Sequence, residues 1–240
     1  MKLIRIVLLI CLCSSQVLAQ EEPVAPVEDT RPTKIPELRH SIKADFKLPT
    51  PLANFAFTKT VNGIADVAAS WQYPVLRFIY LGAGYRYTYW EISDLQGNDK
   101  LAASTQFHSP YAVVGYERFA SPIFSYSFAL KAGYSFMEFY SNTFPSVNGK
   151  SKGPGQQAFW FSPEFTLGLM ANDNLNFSMN VSYSLFTEEY TAADVGLTSF
   201  SGLAASDSEG FYQVFAIGFG FTVYLGGEKK RRSGPKGYDI

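Results

Sequence analysis

Beyond residue 13 this chain of 240 residues has no cysteine: its only two, Cys11 and Cys13, lie in the first nineteen positions. Once that segment is removed, disulfides, cysteine nucleophiles and thiolate metal sites are all excluded. Histidine is nearly as scarce. His40 and His108 stand far apart, neither with a cysteine or a second histidine at metal-ligand spacing, so no cofactor or metal centre is expected. After the amino-terminal segment no stretch offers the ~18 consecutive apolar residues of a membrane-spanning helix. Nor does either sign of charge dominate. With 20 basic and 21 acidic residues the chain carries no electrostatic footprint for nucleic acid.

The first nineteen residues read as an export signal. Lys2 and Arg5 supply a positive start, Ile6 to Leu12 an apolar core too short to span, and Val17-Leu18-Ala19 a small-residue cleavage site before Gln20. Bulky Ile10 and Leu12 beside the cysteines favour that cleavage over lipid attachment. Without Lys2 and Arg5 the count is 18 basic against 21 acidic, a net charge of about −3. Residues 20–37 form an acidic tether punctuated by Pro23, Pro26, Pro32 and Pro36.

What the chain does have is aromatic side chains (21 Phe, 15 Tyr and 3 Trp) and alternation. Phe211 to Leu225 sets Phe215, Ile217, Phe219, Phe221, Val223 and Leu225 against Ala216, Gly218, Gly220, Thr222 and Tyr224. A period of two means an extended strand with two distinct faces. One face is greasy and the other small or weakly polar, as for a strand with lipid on one side and a narrow lumen on the other. Seven more segments repeat the pattern: Ser41–Leu48, Ala65–Tyr73, Phe78–Ile92, about 105–118, Ile123–Tyr140, Ala158–Met170 and Leu175–Leu185. Long connections at 49–63, 93–104, 141–157 and 187–210 alternate with tight turns at 74–76, 120–122 and 171–174. The first long connection carries Leu52, Phe55 and Phe57 and is expected to form a short helix or lid.

Eight strands without a spanning helix predict an all-β fold, an antiparallel transmembrane barrel, because closure alone satisfies every backbone group in lipid. Short turns on one side and long loops on the other predict the bacterial outer membrane, with both termini periplasmic. The chain resembles small eight-stranded outer-membrane barrels of the OmpA and OmpX type over roughly residues 38–226. Its closing Gly220-Phe221-Thr222-Val223-Tyr224-Leu225 is similar to the last-strand signal of such proteins. The resemblance implies that Gly220, Val223 and Leu225 are read by the barrel assembly machinery during insertion. The chain departs from the type by running on through Gly226-Gly227 to Ile240.

Inward positions collect Lys43, Asp45, Asp66, Arg86, Glu117, Lys131 and Glu164, which are expected to pair as an ionic plug or, in the sharper reading, to line a gated ion path. The loop at 187–210 holds Glu188, Glu189, Asp194, Asp207 and Glu209, a solvated acidic loop rather than a spaced calcium motif. Lys150 and Lys152 would meet lipid phosphates or that loop. His108 beside Ser109 lacks an oxyanion donor, so no enzyme is expected. Tail residues Lys229, Lys230, Arg231 and Arg232 have two readings, a solvated stop at lipid headgroups or a docking peptide for an acidic envelope partner. The expected function is a non-enzymatic structural or accessory part of an envelope secretion or export assembly. The alternatives are a narrow conduit for ions or small hydrophobic solutes and a surface-loop adhesin. Outer-membrane lipid is a partner in each; nucleic acid in none.

Overall fold

A computed structural model describes residues 35–53, 55–92, 103–142, 144, 146–147, 150–189 and 210–226. The segment expected to be an export signal, most of the stretch expected to be an acidic tether, the residues from 227 and loop residues Asp194, Asp207 and Glu209 therefore lie outside the described residues. Eight long strands close into one antiparallel barrel. They are β1 (Ser41–Leu52), β2 (Val61–Pro74), β3 (Ile79–Ile92), β4 (Ala103–Phe119), β5 (Phe124–Ser141), β8 (Gln156–Asn172), β9 (Leu175–Glu189) and β10 (Phe211–Tyr224). A helical turn, α1 (Phe55–Thr60), joins β1 to β2, and a two-stranded ribbon, β6 (Ser146–Val147) with β7 (Lys150–Ser151), sits in the β5–β8 connection. Each barrel strand pairs with its sequence neighbour, and β1 pairs with β10 from Ser41↔Tyr224 to Leu52↔Gln213. Both described chain ends therefore leave the barrel at one end, the end that also carries the three tight turns.

Those turns form where the sequence breaks its alternation. Val75 N donates to the Ile79 carbonyl at 2.9 Å, and Ala120 N to that of Phe124 at 2.9 Å. At the third turn Asn172 Oδ1 accepts from the backbone of Asn174 and Leu175 at 2.9 and 3.0 Å, an Asx turn. Arg39 then ties the start of β1 to this turn, donating to Asn174 Oδ1 at 3.1 Å and to the Asp173 carbonyl.

The first connection is shorter than the sequence suggests. Strand β1 does not stop before Pro49 but continues to Leu52, and β2 begins at Val61. The reason lies in the pairing: above Lys47↔Asp66, β1 is hydrogen-bonded only to β10 and not to β2. Prolines are tolerated on such a one-sided stretch because their missing N–H is not needed. Gly63 of β2 packs so closely on Pro49 that any side chain there would overlap the Pro49 carbonyl.

The barrel is inside out relative to a water-soluble one. Leu48, Trp71, Leu81, Phe128, Leu169, Met179 and Phe219 are all exposed, with Phe219 65 % accessible. Phe215 to Leu225 is eleven residues, and its steps of about 3.4 Å at ~40° tilt give an apolar belt about 26 Å tall. An outer surface of this kind is stable against lipid and not against water. The strands keep the alternation described above, except that a bulge between Gly63 and Ala65 of β2 shifts the parity, so that Val61 as well as Asp66 faces inward.

Candidate functional site

The lumen is the chemically distinctive part of the molecule, and strand alternation builds it. Eight buried charged residues lie among the described ones: Lys43, Asp45, Lys47, Asp66, Arg86, Glu117, Lys131 and Glu164. Lys47 lies on the inward face of β1 and completes a set of four cations and four carboxylates. Glu164, 1 % exposed, is the hub. It accepts from Lys43 at 2.9 Å through Oε1, and from Lys47 and Lys131 at 2.7 Å each through Oε2. Asp45 shares two of these lysines, at 3.6 Å from Lys43 and 3.4 Å from Lys131, and accepts from Asn180 Nδ2 at 2.9 Å.

Asp66 and Arg86 form a separate bidentate pair, Nε to Oδ1 at 2.9 Å and Nη2 to Oδ2 at 2.7 Å. The remaining Arg86 nitrogen donates to Ser184 at 2.8 Å, and the guanidinium lies 5.2 Å from the Trp160 ring centre. A planar fork satisfied on both edges and stacked on an aromatic face is held in one geometry.

Glu117 does not join these pairs: among the described residues no cation bonds it. Its carboxylate accepts from Tyr224 OH at 2.5 Å, and it lines a water-sized cavity with Lys43, Tyr80, Asn176 and Ser178. Asn176 Oδ1 and Ser178 Oγ are buried there without a protein partner. A polar cavity with unpartnered oxygens suits an ordered water.

Toward the loop end the lumen turns from ionic to aromatic. Phe57 of α1 drops between Trp90 at 5.3 Å and Tyr212 at 5.1 Å, while Phe107 contacts Trp90, Phe186 and Tyr212 within 6.0 Å. Each such pair contributes about 0.5–1.5 kcal/mol beyond its buried area. Sequence reading left Trp90, Phe107, Phe186 and Tyr212 out of the lumen, although the signal was present. They share the parity of Arg86, Ser109, Ser184 and Ala216, and bulky residues simply occupy both faces near the loop end.

The remaining candidates separate. His108 faces outward, sharing a 2.6 Å hydrogen bond with Tyr85 OH through Nδ1, whereas Ser109 faces inward and donates to Ser135 at 2.9 Å. The wall stands between them, so they form no nucleophile–base pair. Glu188 and Glu189 are the exposed end of β9. Lys152 pairs with Glu138 at 2.8 Å, which raises the ammonium above its ordinary pKa. Gly220 faces the lumen, and a Cβ there would lie 2.5 Å from Asp45 Oδ1; Val223 is half-buried and Leu225 exposed at the turn end. The described residues contain no cluster of three or more His, Cys, Asp or Glu able to hold a metal.

No family model matches the sequence, and no curated protein matches it either. Among solved structures the chain is similar to Neisserial surface protein A, at 10% identity over 79% of this chain and 99% of that one, with a TM-score of 0.47. It is also similar to the outer membrane protein OprG from Pseudomonas aeruginosa, at 14% identity over 82% and 100%, TM-score 0.44. A third is Ail, the attachment invasion locus protein of Yersinia pestis, at 11% over 77% and 97%, TM-score 0.39. At these scores no activity, site or partner transfers, and the barrel rests on its own strand pairing.

Proposed function

We propose that this chain is a non-enzymatic outer-membrane barrel with a sealed lumen, serving as a structural or accessory component of an envelope assembly, of the secretion or export kind. The observation that carries this reading is the lumen filling: one ionic layer centred on Glu164 and one aromatic layer closed by Phe57, stacked in series. Eight strands leave an interior that side chains can fill completely. Moving an ion past Glu164 would separate buried pairs, which costs several kcal/mol. The export signal and the apolar belt support the outer membrane. The shared end of the chain termini and tight turns supports periplasmic termini.

Contacts with partners then fall to the parts outside the wall. The basic tail, Lys229 to Arg232, is the docking segment for an acidic envelope protein, and the assembly machinery reads Gly220, Val223 and Leu225 during insertion. Crosslinking in native outer membranes, from residues placed in 228–240, tests this. A stoichiometric protein adduct supports the accessory role. Adducts to lipid and to the barrel alone refute it and move conduction or loop-borne adhesion ahead.

A further inference from the structure

At the loop end of β3, β4 and β5 lies a groove of about 770 Å³ that the lumen account does not use; Tyr89, Glu91, Ser104, Gln106 and Tyr140 are part of its lining. The outward positions from Ile79 to Tyr89 on β3 and from Phe124 to Phe136 on β5 carry no charge, and Glu91 and Glu138 are the first that do. A charge facing lipid is costly at depth, so the apolar belt ends below these two carboxylates and the groove opens beyond it.

The register gives the groove a two-fold arrangement. Tyr89 of β3 pairs with Gln106 of β4 and Gln106 with Glu138 of β5; one pleat further, Glu91 pairs with Ser104 and Ser104 with Tyr140. A half-turn about the wall normal through Thr105 therefore exchanges the positions of Tyr89 and Tyr140, and of Glu91 and Glu138. The β5 half holds a cation of the chain itself. Lys152 Nζ lies 2.8 Å from Glu138 Oε1 and 5.8 Å from the centre of the Tyr140 ring, while Tyr140 OH donates to Glu138 Oε2 at 2.5 Å. The β3 half presents the same two residue types, and among the described residues no cation pairs with Glu91.

We infer that Tyr89 and Glu91 receive a lysine or arginine side chain of a polypeptide partner, in the way that Tyr140 and Glu138 hold Lys152. A carboxylate beside an aromatic face binds a cationic head through its charge and through the ring quadrupole together. Two carboxylates against one ammonium disfavour an anionic group here. The groove is larger than one ammonium or guanidinium fills and lies in the size range of sites that enclose bigger molecules, which leaves room for backbone on either side of the cation. Between the two halves, the Ser104 hydroxyl and Gln106 amide each donate and accept, matching peptide N–H and C=O groups. Tyrosine, serine and side-chain amides are also the residue types that dominate surfaces built to grip polypeptides. The inference rests on the membrane-barrel reading and is independent of the tail.

The test uses the full processed chain, isotope-labelled and folded in a zwitterionic detergent, with NMR shifts of the Glu91, Ser104 and Gln106 backbone amides as the readout. The probes are a capped pentapeptide Gly-Ser-Arg-Ser-Gly, the same peptide with citrulline in place of arginine, and argininamide. The expected result is saturable shifts with the arginine peptide, and binding at least threefold weaker for the citrulline peptide. Glu91→Gln and Tyr89→Leu should each weaken the arginine peptide at least threefold while keeping the heat-dependent gel shift of a folded barrel. Glu188 is an exposed acid at the far end of β9, and Glu188→Gln should leave binding unchanged. Equal binding of the two peptides, or unchanged binding in Glu91→Gln, overturns the site. An equal loss in Glu188→Gln overturns it in favour of diffuse charge attraction. Argininamide binding as tightly as the pentapeptide overturns the polypeptide assignment in favour of a small cation. A wild-type chain without a heat-dependent gel shift refutes the barrel reading itself, whereas a folded barrel whose groove amides do not move refutes this site alone.

Discussion

Lys47 Nζ and Glu164 Oε2 meet at 2.7 Å across the lumen, 117 residues apart in sequence. The same carboxylate holds Lys43 and Lys131, so one group neutralises a site that three strands converge on. Removing it leaves Lys43 and Lys131 with Asp45 alone and takes away the one ion pair Lys47 makes among the described residues, whereas removing one lysine leaves the hub paired twice.

Glu164→Gln should therefore destabilise the folded barrel by about 3–5 kcal/mol, and Lys47→Met by clearly less. Urea unfolding in lipid vesicles, followed by tryptophan fluorescence, measures both. Equal losses in the two variants would contradict a hub centred on Glu164.

The position of Glu164 was legible from alternation alone, and so were the eight strands, their order and seven of the eight buried charges. Three features were not. The prolines suggested that β1 ends at Leu48, and only the one-sided pairing to β10 shows why the strand continues to Leu52. The aromatic layer was hidden because bulky residues occupy both faces of the loop-end strands, erasing the contrast on which parity reading depends. That none of the described cations bonds Glu117 is a matter of distance across the barrel, which no period along a strand encodes.

The aromatic layer and the ionic layer are separable. Phe57→Ala removes the only α1 side chain described as closing the loop end, and should cost about 3–5 kcal/mol. Its conductance in a planar bilayer should stay at the wild-type level, because the Glu164 layer beneath remains. Stepwise currents in this variant alone would mean that Phe57, and not the ion pairs, seals the lumen.

Gly220 is needed for room inside the barrel, where Asp45 Oδ1 lies 2.5 Å from where a Cβ would sit. Gly220→Ala should destabilise by about 1–3 kcal/mol through overpacking. Pairing it with Asp45→Asn changes little, since the clash is steric. Pairing it with Asp45→Ala relieves only the side-chain part of the loss, as read from urea midpoints, because the Ala44 carbonyl oxygen also lies 2.5 Å from the added Cβ.

The lipid-facing assignment has its own check at mid-belt. Phe219→Arg should cost about 2–4 kcal/mol, the depth-dependent price of a charge at the bilayer midplane. Thr50→Arg, outward on β1 at the loop-end edge of the belt, where it pairs with Phe215, should cost ~0–1 kcal/mol. Similar values at the two positions would place the belt elsewhere.

The central claim is that the lumen is shut, and single-channel recording tests it most directly. The processed full chain, shown to be folded by its gel shift, is inserted into a planar bilayer at neutral pH under an applied potential. The account predicts a flat baseline at insertion levels that other techniques confirm, with no discrete steps. Reproducible unitary currents from the wild-type chain would contradict it, and would mean that the Glu164 pairs rearrange to let ions pass.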